Sequence, residues 1–178
     1  MTKKISTYGL LIALAFLFGF LESVFPIPVP VPGIKLGLAN IVIMTALYML
    51  SARDAFFLML IRILLAGFTF GGMASALYSL GGGLLSFCVM VLLKKTGWFS
   101  MLGVSIAGGV FHNVGQLLVA MAVLQSRSLI GYLPVLLAAG VITGLVVGVL
   151  SNEIGKRLKI YNAAEREDKE NDIEKSKG

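Results

Sequence analysis

Prolines at positions 26, 28, 30 and 32 deny alternate residues an amide hydrogen, and they drive the stretch from Phe25 to Asn40 towards extended or polyproline-like angles. No helix runs through it. Apolar runs of helical length flank it on both sides, and exposed irregular backbone is not tolerated in lipid, where each unpaired amide costs several kcal/mol. The segment therefore lies at a membrane surface or is enclosed by protein over a cavity. Gly33, Lys35, Gly37 and Asn40 suit it to form the lid or wall of a site.

Composition supports the membrane setting. The chain is 57% hydrophobic and 13% charged with mean hydropathy +0.92, whereas a soluble domain is about 45–50% apolar. At roughly 20 residues per span, 178 residues give one domain of about five to seven spans. The single cysteine, Cys88, lies in an apolar run, so there is no disulfide framework and the residue is expected to pack in the interior. A net charge of +6 would suggest a nucleic-acid partner in a soluble protein, but here the charges sit at the ends of apolar runs, which argues against one. Lys3 and Lys4 before an apolar run resemble a signal peptide, yet no small-x-small cleavage site closes it and a second apolar segment follows, so the run is read as a first span.

Run length predicts an all-α integral membrane protein of six transmembrane helices, at Ser6 to Phe25, Leu36 to Leu50, Ala55 to Phe70, Met73 to Leu93, Phe99 to Leu124 and Leu129 to Ile154. The second is only 15 residues, about 22 Å, which is short for a hydrocarbon core. Ser-Ala-Arg-Asp at 51–54 joins helices 2 and 3 tightly. Six spans place Lys3, Lys4, Arg53, Lys94, Lys95, Lys156, Arg157 and Lys159 on one side and only Lys35 and Arg127 on the other. The bias predicts both termini in the cytoplasm, in a bacterial plasma membrane, with the proline segment outside. The transmembrane domain covers 1–160. The charged stretch 161–178 cannot bury enough apolar surface to order itself and reads as a disordered cytoplasmic tail.

Glycine spacing separates two uses. Gly140, Gly144 and Gly148 repeat every four residues on one face of helix 6 and let another backbone approach closely. Ala15, Gly19 and Ser23 do the same in helix 1, where the face either packs within the chain or docks a separate membrane subunit. Gly81-Gly82-Gly83 share no face, and at about 1 kcal/mol each against alanine they predict a break or kink in helix 4. No Lys-Ser or Lys-Thr follows them, so they do not form a phosphate loop.

Polar groups within the spans are few, and such groups usually face protein or water rather than lipid. They are Glu22, Asn40, Arg62, and the triplet His112, Asn113 and Gln116, with Tyr78, Ser79 and Thr143 adding hydroxyls. Arg62 either pairs with Glu22 structurally or anchors an anionic ligand together with Lys35. The triplet forms one patch by its three- and four-residue spacing, suited to a planar polar ligand or to holding helices together. No cysteine or carboxylate stands at metal-ligand spacing from His112, no Ser/His/Asp set exists, and no second carboxylate accompanies Glu22 in the membrane. Binding or transport is favoured over chemistry, with neither cofactor nor metal implied.

Pro-Val-Pro-Gly-Ile-Lys-Leu-Gly-Leu-Ala-Asn at 30–40, Arg62 followed by Gly71-Gly72, Tyr78-Ser-Leu-Gly-Gly-Gly83 and His112-Asn-Val-Gly-Gln116 resemble the bacterial "Gx transporter" family, also labelled heptaprenyl diphosphate synthase component I, over about residues 5–160. That family is similar in its six-helix plan to the substrate-binding S components of energy-coupling factor (ECF) transporters. The resemblance implies a vitamin-sized or anionic ligand under the loop between helices 1 and 2, held by Lys35, Asn40, Arg62, Tyr78, His112, Asn113 and Gln116. It also implies a membrane scaffold subunit docking at Ala15 and Gly19, where S components carry an alanine pair, and a pair of cytoplasmic ATPases. The alternative label implies a soluble prenyl diphosphate synthase subunit as partner, or a quinone-linked redox assembly. The chain lacks the aspartate-rich clusters that hold magnesium and diphosphate in prenyl elongation, so under that label it is a non-catalytic component.

Overall fold

The structure, a computed structural model, describes the backbone of residues 2–24 and 37–175 and the side chains of residues 8–24 and 37–157. The proline ladder and Lys35 lie outside the described residues. All described elements are helical: α1 (Thr2–Val24), α2 (Asn40–Met49), α3 (Ala52–Ala66), a π-helical turn (Gly67–Gly71), α4 (Gly72–Thr96), α5 (Met101–Leu124), a 3-10 turn (Arg127–Tyr132) and α6 (Leu133–Lys175). Three continuous helical stretches are long and apolar enough to cross a membrane: Ala52–Thr96, Met101–Leu124 and Arg127–Arg157.

The first of these is not one rod. Gly83 packs on Met59 and Ile63, Gly67 faces Ala76, and the rings of Phe56 and Phe87 lie 5.5 Å apart, so α4 doubles back on α3. The reversal sits at Gly71-Gly72, where the π-helical turn ends and Gly72 adopts φ +71°, a backbone state that side chains disfavour. The break expected at Gly81-Gly82-Gly83 is therefore absent. α4 runs unbroken through all three glycines, because what each costs in helix propensity is small beside the packing it permits: Gly82 lies against the His112 carbonyl and Gly81 against Gly115 of α5.

Successive helices from α3 onward run antiparallel. Gly108 of α5 meets Ser86 and Met90 of α4, and α6 returns along α5 with Gly140 at Gly109 and Val110, Gly144 at Ser105 and Ile106, and Gly148 at Leu102. The glycine face of α6 thus packs within the chain. Ser105 Oγ donates to the Gly144 carbonyl at 2.8 Å and Ser86 Oγ to the Gly108 carbonyl at 2.8 Å, hydrogen bonds that only close helices reach. α1 runs parallel to α3: Tyr8 lies against Asp54 at one end, and Phe16 and Phe20 stack on Phe70 at the other.

α2 sits at the centre. Every residue from Ile41 to Leu47 is buried, so this helix has no solvent or lipid face. It is also shorter than the expected Leu36 to Leu50; ten residues span about 15 Å, half a hydrocarbon core. Its amide Leu38 N, just before the helix, donates to Glu22 Oε1 at 2.5 Å, and its last turn receives Lys94, whose ammonium donates to the Leu47 carbonyl and lies 4.8 Å from the Tyr48 ring centroid. Ser51 then opens α3 with a capping box, its hydroxyl accepting from Asp54 N while Asp54 accepts from Ser51 N. The polar link at 51–54 is the helix cap itself.

Burial is inverted relative to a soluble protein. Phe57, Phe68, Met73, Leu92, Ile142 and Val149 face outward, while Glu22, Arg62, His112, Asn113, Gln116 and Ser151 are buried. Such a surface, on helices of this length, belongs in a membrane. Cys88, expected inside, lies on the outer face of α4, because the inner face there is taken by Phe87 and Met90. Arg53, Lys94, Lys95, Lys156 and Arg157 gather at one end of the bundle, beside the exposed Trp98, and Arg127 lies at the other. The helical backbone of α6 continues to Lys175, with an Arg157 to Glu153 pair at 3.0 Å on its exposed surface.

Candidate functional site

The buried polar side chains converge midway along the bundle, where α2 begins and α3, α4 and α5 pass. Arg62 projects from α3 with 8% of its surface exposed, and its Nη2 donates to Asn40 Oδ1 at 3.3 Å. Its guanidinium is within Coulombic range of Glu22 and of His112. Its one side-chain hydrogen bond among the described residues is to Asn40, and it stands among groups with spare hydrogen-bonding capacity.

His112 and Gln116 come from α5 and press against Gly82 of α4. A methyl at Gly82 would lie 2.7 Å from the His112 carbonyl oxygen and 2.7 Å from Gln116 Cγ, so only glycine lets α5 bring these side chains in. His112 Nδ1 approaches Gly82 without forming a well-shaped hydrogen bond. Arg62 Nε, His112 Nδ1, and both Gln116 Nε2 and Oε1 are buried with no hydrogen-bond partner among the described residues. Leaving such groups unmet costs about 1–3 kcal/mol each, and four such atoms from three side chains meet here.

Other expected site residues separate from this group. Asn113, on the next position of α5, turns away and donates its Nδ2 to the Leu136 carbonyl at 2.8 Å, tying α5 to the start of α6. Tyr78 lies one turn from Gly82 towards the reversal, on the same face of α4, half-buried, and its hydroxyl makes no hydrogen bond among the described residues. Lys35 is outside them. Ala15 is 1% exposed and Gly19 is buried, where an added methyl would lie 3.6 Å from the Phe70 ring, so the small-residue face of α1 is turned into the bundle.

A small cavity adjoins the cluster, bordered by Asn40, Ser86, His112, Asn113 and Thr143. Its water-sized space is about 20 Å³, room for about one water, whereas small-molecule sites run to about 300–1,000 Å³. The polar groups are gathered, then, and the cavity that adjoins them is far smaller than a vitamin. Three contributors escaped the sequence reading: Ser86, Ser105 and Ser151, buried hydroxyls that donate to carbonyls on neighbouring helices. Their signal was available, since Ser86 and Ser105 each stand beside a glycine contact. Asp54, committed to the α3 cap, does not pair with His112.

Helices apolar on the outside, with their polar side chains drawn into a central cluster, define a helical membrane protein. A family model described as heptaprenyl diphosphate synthase component I matches residues 11–154, and the chain belongs to that family. The match takes in α1 from Leu11 onward, all of α2 to α5, and α6 as far as Ile154. No curated protein and no solved structure matches the chain.

Proposed function

We propose that this chain is a multi-pass, non-catalytic membrane component that works beside a soluble prenyl diphosphate synthase subunit. The family match over residues 11–154 carries the reading. Acid placement supports it: Glu22, Asp54 and Glu153 are the only carboxylates within residues 1–160, Glu22 bonds the Leu38 amide and Asp54 caps α3, so that span holds no aspartate pair for magnesium diphosphate. Elongation then belongs to the partner. In this reading six passes cross a bacterial plasma membrane, and the basic end of the bundle faces the cytoplasm.

The test is purification of the tagged chain in mild detergent from its own host. A soluble polyprenyl synthase recovered in stoichiometric amount is the expected result. Two ATPases with a membrane scaffold, and no synthase, would overturn it.

One observation favours a second reading. The unpartnered groups of Arg62, His112 and Gln116 suit a substrate-binding subunit for uptake of a small vitamin-like or anionic molecule, with Lys35, Asn40, Tyr78 and Asn113 completing the site. Docking of a scaffold at Ala15 and Gly19 then requires α1 to move off Phe70. Native mass spectrometry of the same preparation tests this reading through a retained vitamin-sized ligand.

A further inference from the structure

Away from the polar cluster, the basic end of the α3/α4 hairpin carries a groove of about 430 Å³ lined by Ala52, Arg53, Phe56, Phe57, Phe87 and Val91. Its walls are apolar and open outward. Phe57 is 61% exposed, whereas Phe56 and Phe87 form a tilted aromatic floor with centroids 5.5 Å apart. Every wall residue but one would be content in hydrocarbon. The exception, Arg53, stands at the mouth in the first turn of α3, where the helix dipole adds positive potential. Lys95 lies one turn beyond Val91 on the same face of α4, as Phe87, Val91 and Lys95 repeat every four residues. The adjacent acid, Asp54, bonds into the Ser51 cap and lies against Tyr8.

We propose that this groove binds a prenyl diphosphate, its first isoprene units between Phe57 and Val91 and its diphosphate on Arg53 and Lys95. Charge and shape select the ligand. The mouth offers two cations to a head of high negative charge, and the flat, branched isoprene units suit an aromatic floor. The rest of a long tail would leave the open groove into lipid. The inference rests on the prenyl-synthase reading for its ligand class, and it gives the chain a task there: presenting the chain-elongation substrate or product at the membrane surface where a soluble enzyme meets it.

The test uses the purified full-length chain in phosphatidylcholine nanodiscs with a benzophenone-bearing farnesyl diphosphate, and the photolabelled peptides are mapped by mass spectrometry. Labelling is expected in the peptides containing Phe56 and Phe57 or Val91. Excess farnesyl diphosphate should compete and farnesol should not. The Arg53→Gln/Lys95→Gln double variant, which changes two exposed side chains, should label roughly tenfold less, the loss expected for charge-assisted hydrogen bonds. Val91→Trp should block labelling by filling the groove while leaving both cations. Equal competition by farnesol, equal competition by phosphatidylglycerol nanodiscs, or labelling confined to other helices would each overturn the proposal. Groove labelling without any co-purifying synthase would leave this inference standing and remove the partner reading, so the two fail separately.

Discussion

Gly144→Ala adds a methyl where α6 lies close against α5. The new carbon would sit 2.6 Å from Ile106 Cα and 2.8 Å from the Ser105 carbonyl oxygen, both backbone atoms that no rotamer change can clear. The helices must separate by roughly 1 Å to restore ordinary contact distances. Overpacking of this kind costs about 1–3 kcal/mol. Separation also breaks the Ser105 Oγ bond to the Gly144 carbonyl, now 2.8 Å long, for about 1 kcal/mol more. Alanine returns about 1 kcal/mol of helix propensity. The net loss is about 1–3 kcal/mol, or roughly 5- to 150-fold in the folded-to-unfolded ratio. Denaturation in mixed micelles, followed by far-ultraviolet circular dichroism, measures it. Gly155→Ala is the internal control, since nothing lies within 4 Å of its added methyl. Gly148→Ala should fall between the two, because its nearest neighbour is the movable tip of Leu102. If Gly144→Ala were as stable as Gly155→Ala, the close α5/α6 contact would not be what holds these helices.

Gly72→Ala forces a side chain into φ +71° at the α3/α4 reversal and should destabilise by about 1–2 kcal/mol, read as a lower thermal midpoint, with Gly72→Asn milder. Asn113→Leu removes the side-chain hydrogen bond to the Leu136 carbonyl, which keeps its helical partner; a loss of about 1 kcal/mol is expected in the same micellar denaturation, and an unchanged midpoint would return Asn113 to the ligand-facing set. Arg62→Ala removes the cation that donates to Asn40, at about 1–3 kcal/mol for the acceptor left unmet, and should aggregate on size-exclusion chromatography, whereas Arg62→Met with Glu22→Gln should stay monodisperse. An Arg62→Ala protein that remains monodisperse and heat-stable would make Arg62 a ligand anchor rather than a structural one. Ser51→Ala removes the capping box of α3 and should cost about 1 kcal/mol of thermal stability.

Much of the fold was readable from local rules. Helix type and approximate bounds follow from the length of apolar runs, and the inner face of α6 follows from the four-residue spacing of Gly140, Gly144 and Gly148, because both depend only on helix periodicity. The polar cluster was readable in part for the same reason. Arg62, His112 and Gln116 stand out as costly groups in apolar surroundings wherever their helices go. Pairing of Arg62 with Asn40 joins residues 22 apart and could not be read from spacing.

Where neighbouring segments compete, local rules gave the wrong answer. Three adjacent glycines at 81–83 carry a helix-breaking propensity, but α5 packs onto Gly81 and Gly82 and α3 onto Gly83, so α4 stays whole, and the chain turns back only at Gly71-Gly72, between the expected third and fourth helices, where Gly72 takes a positive φ. Asn113 and Gln116 are three residues apart and looked equivalent, yet the carbonyl of Leu136 claims one and leaves the other in the cluster. Composition and periodicity by themselves determined that this chain is helical, belongs in a membrane and buries its few polar side chains, since those outcomes follow from the cost of placing peptide and charge in hydrocarbon. Which polar groups meet, which glycines turn the chain and which carry contacts, and where α2 lies were decided only by tertiary packing, because each depends on what a distant helix presents at van der Waals distance.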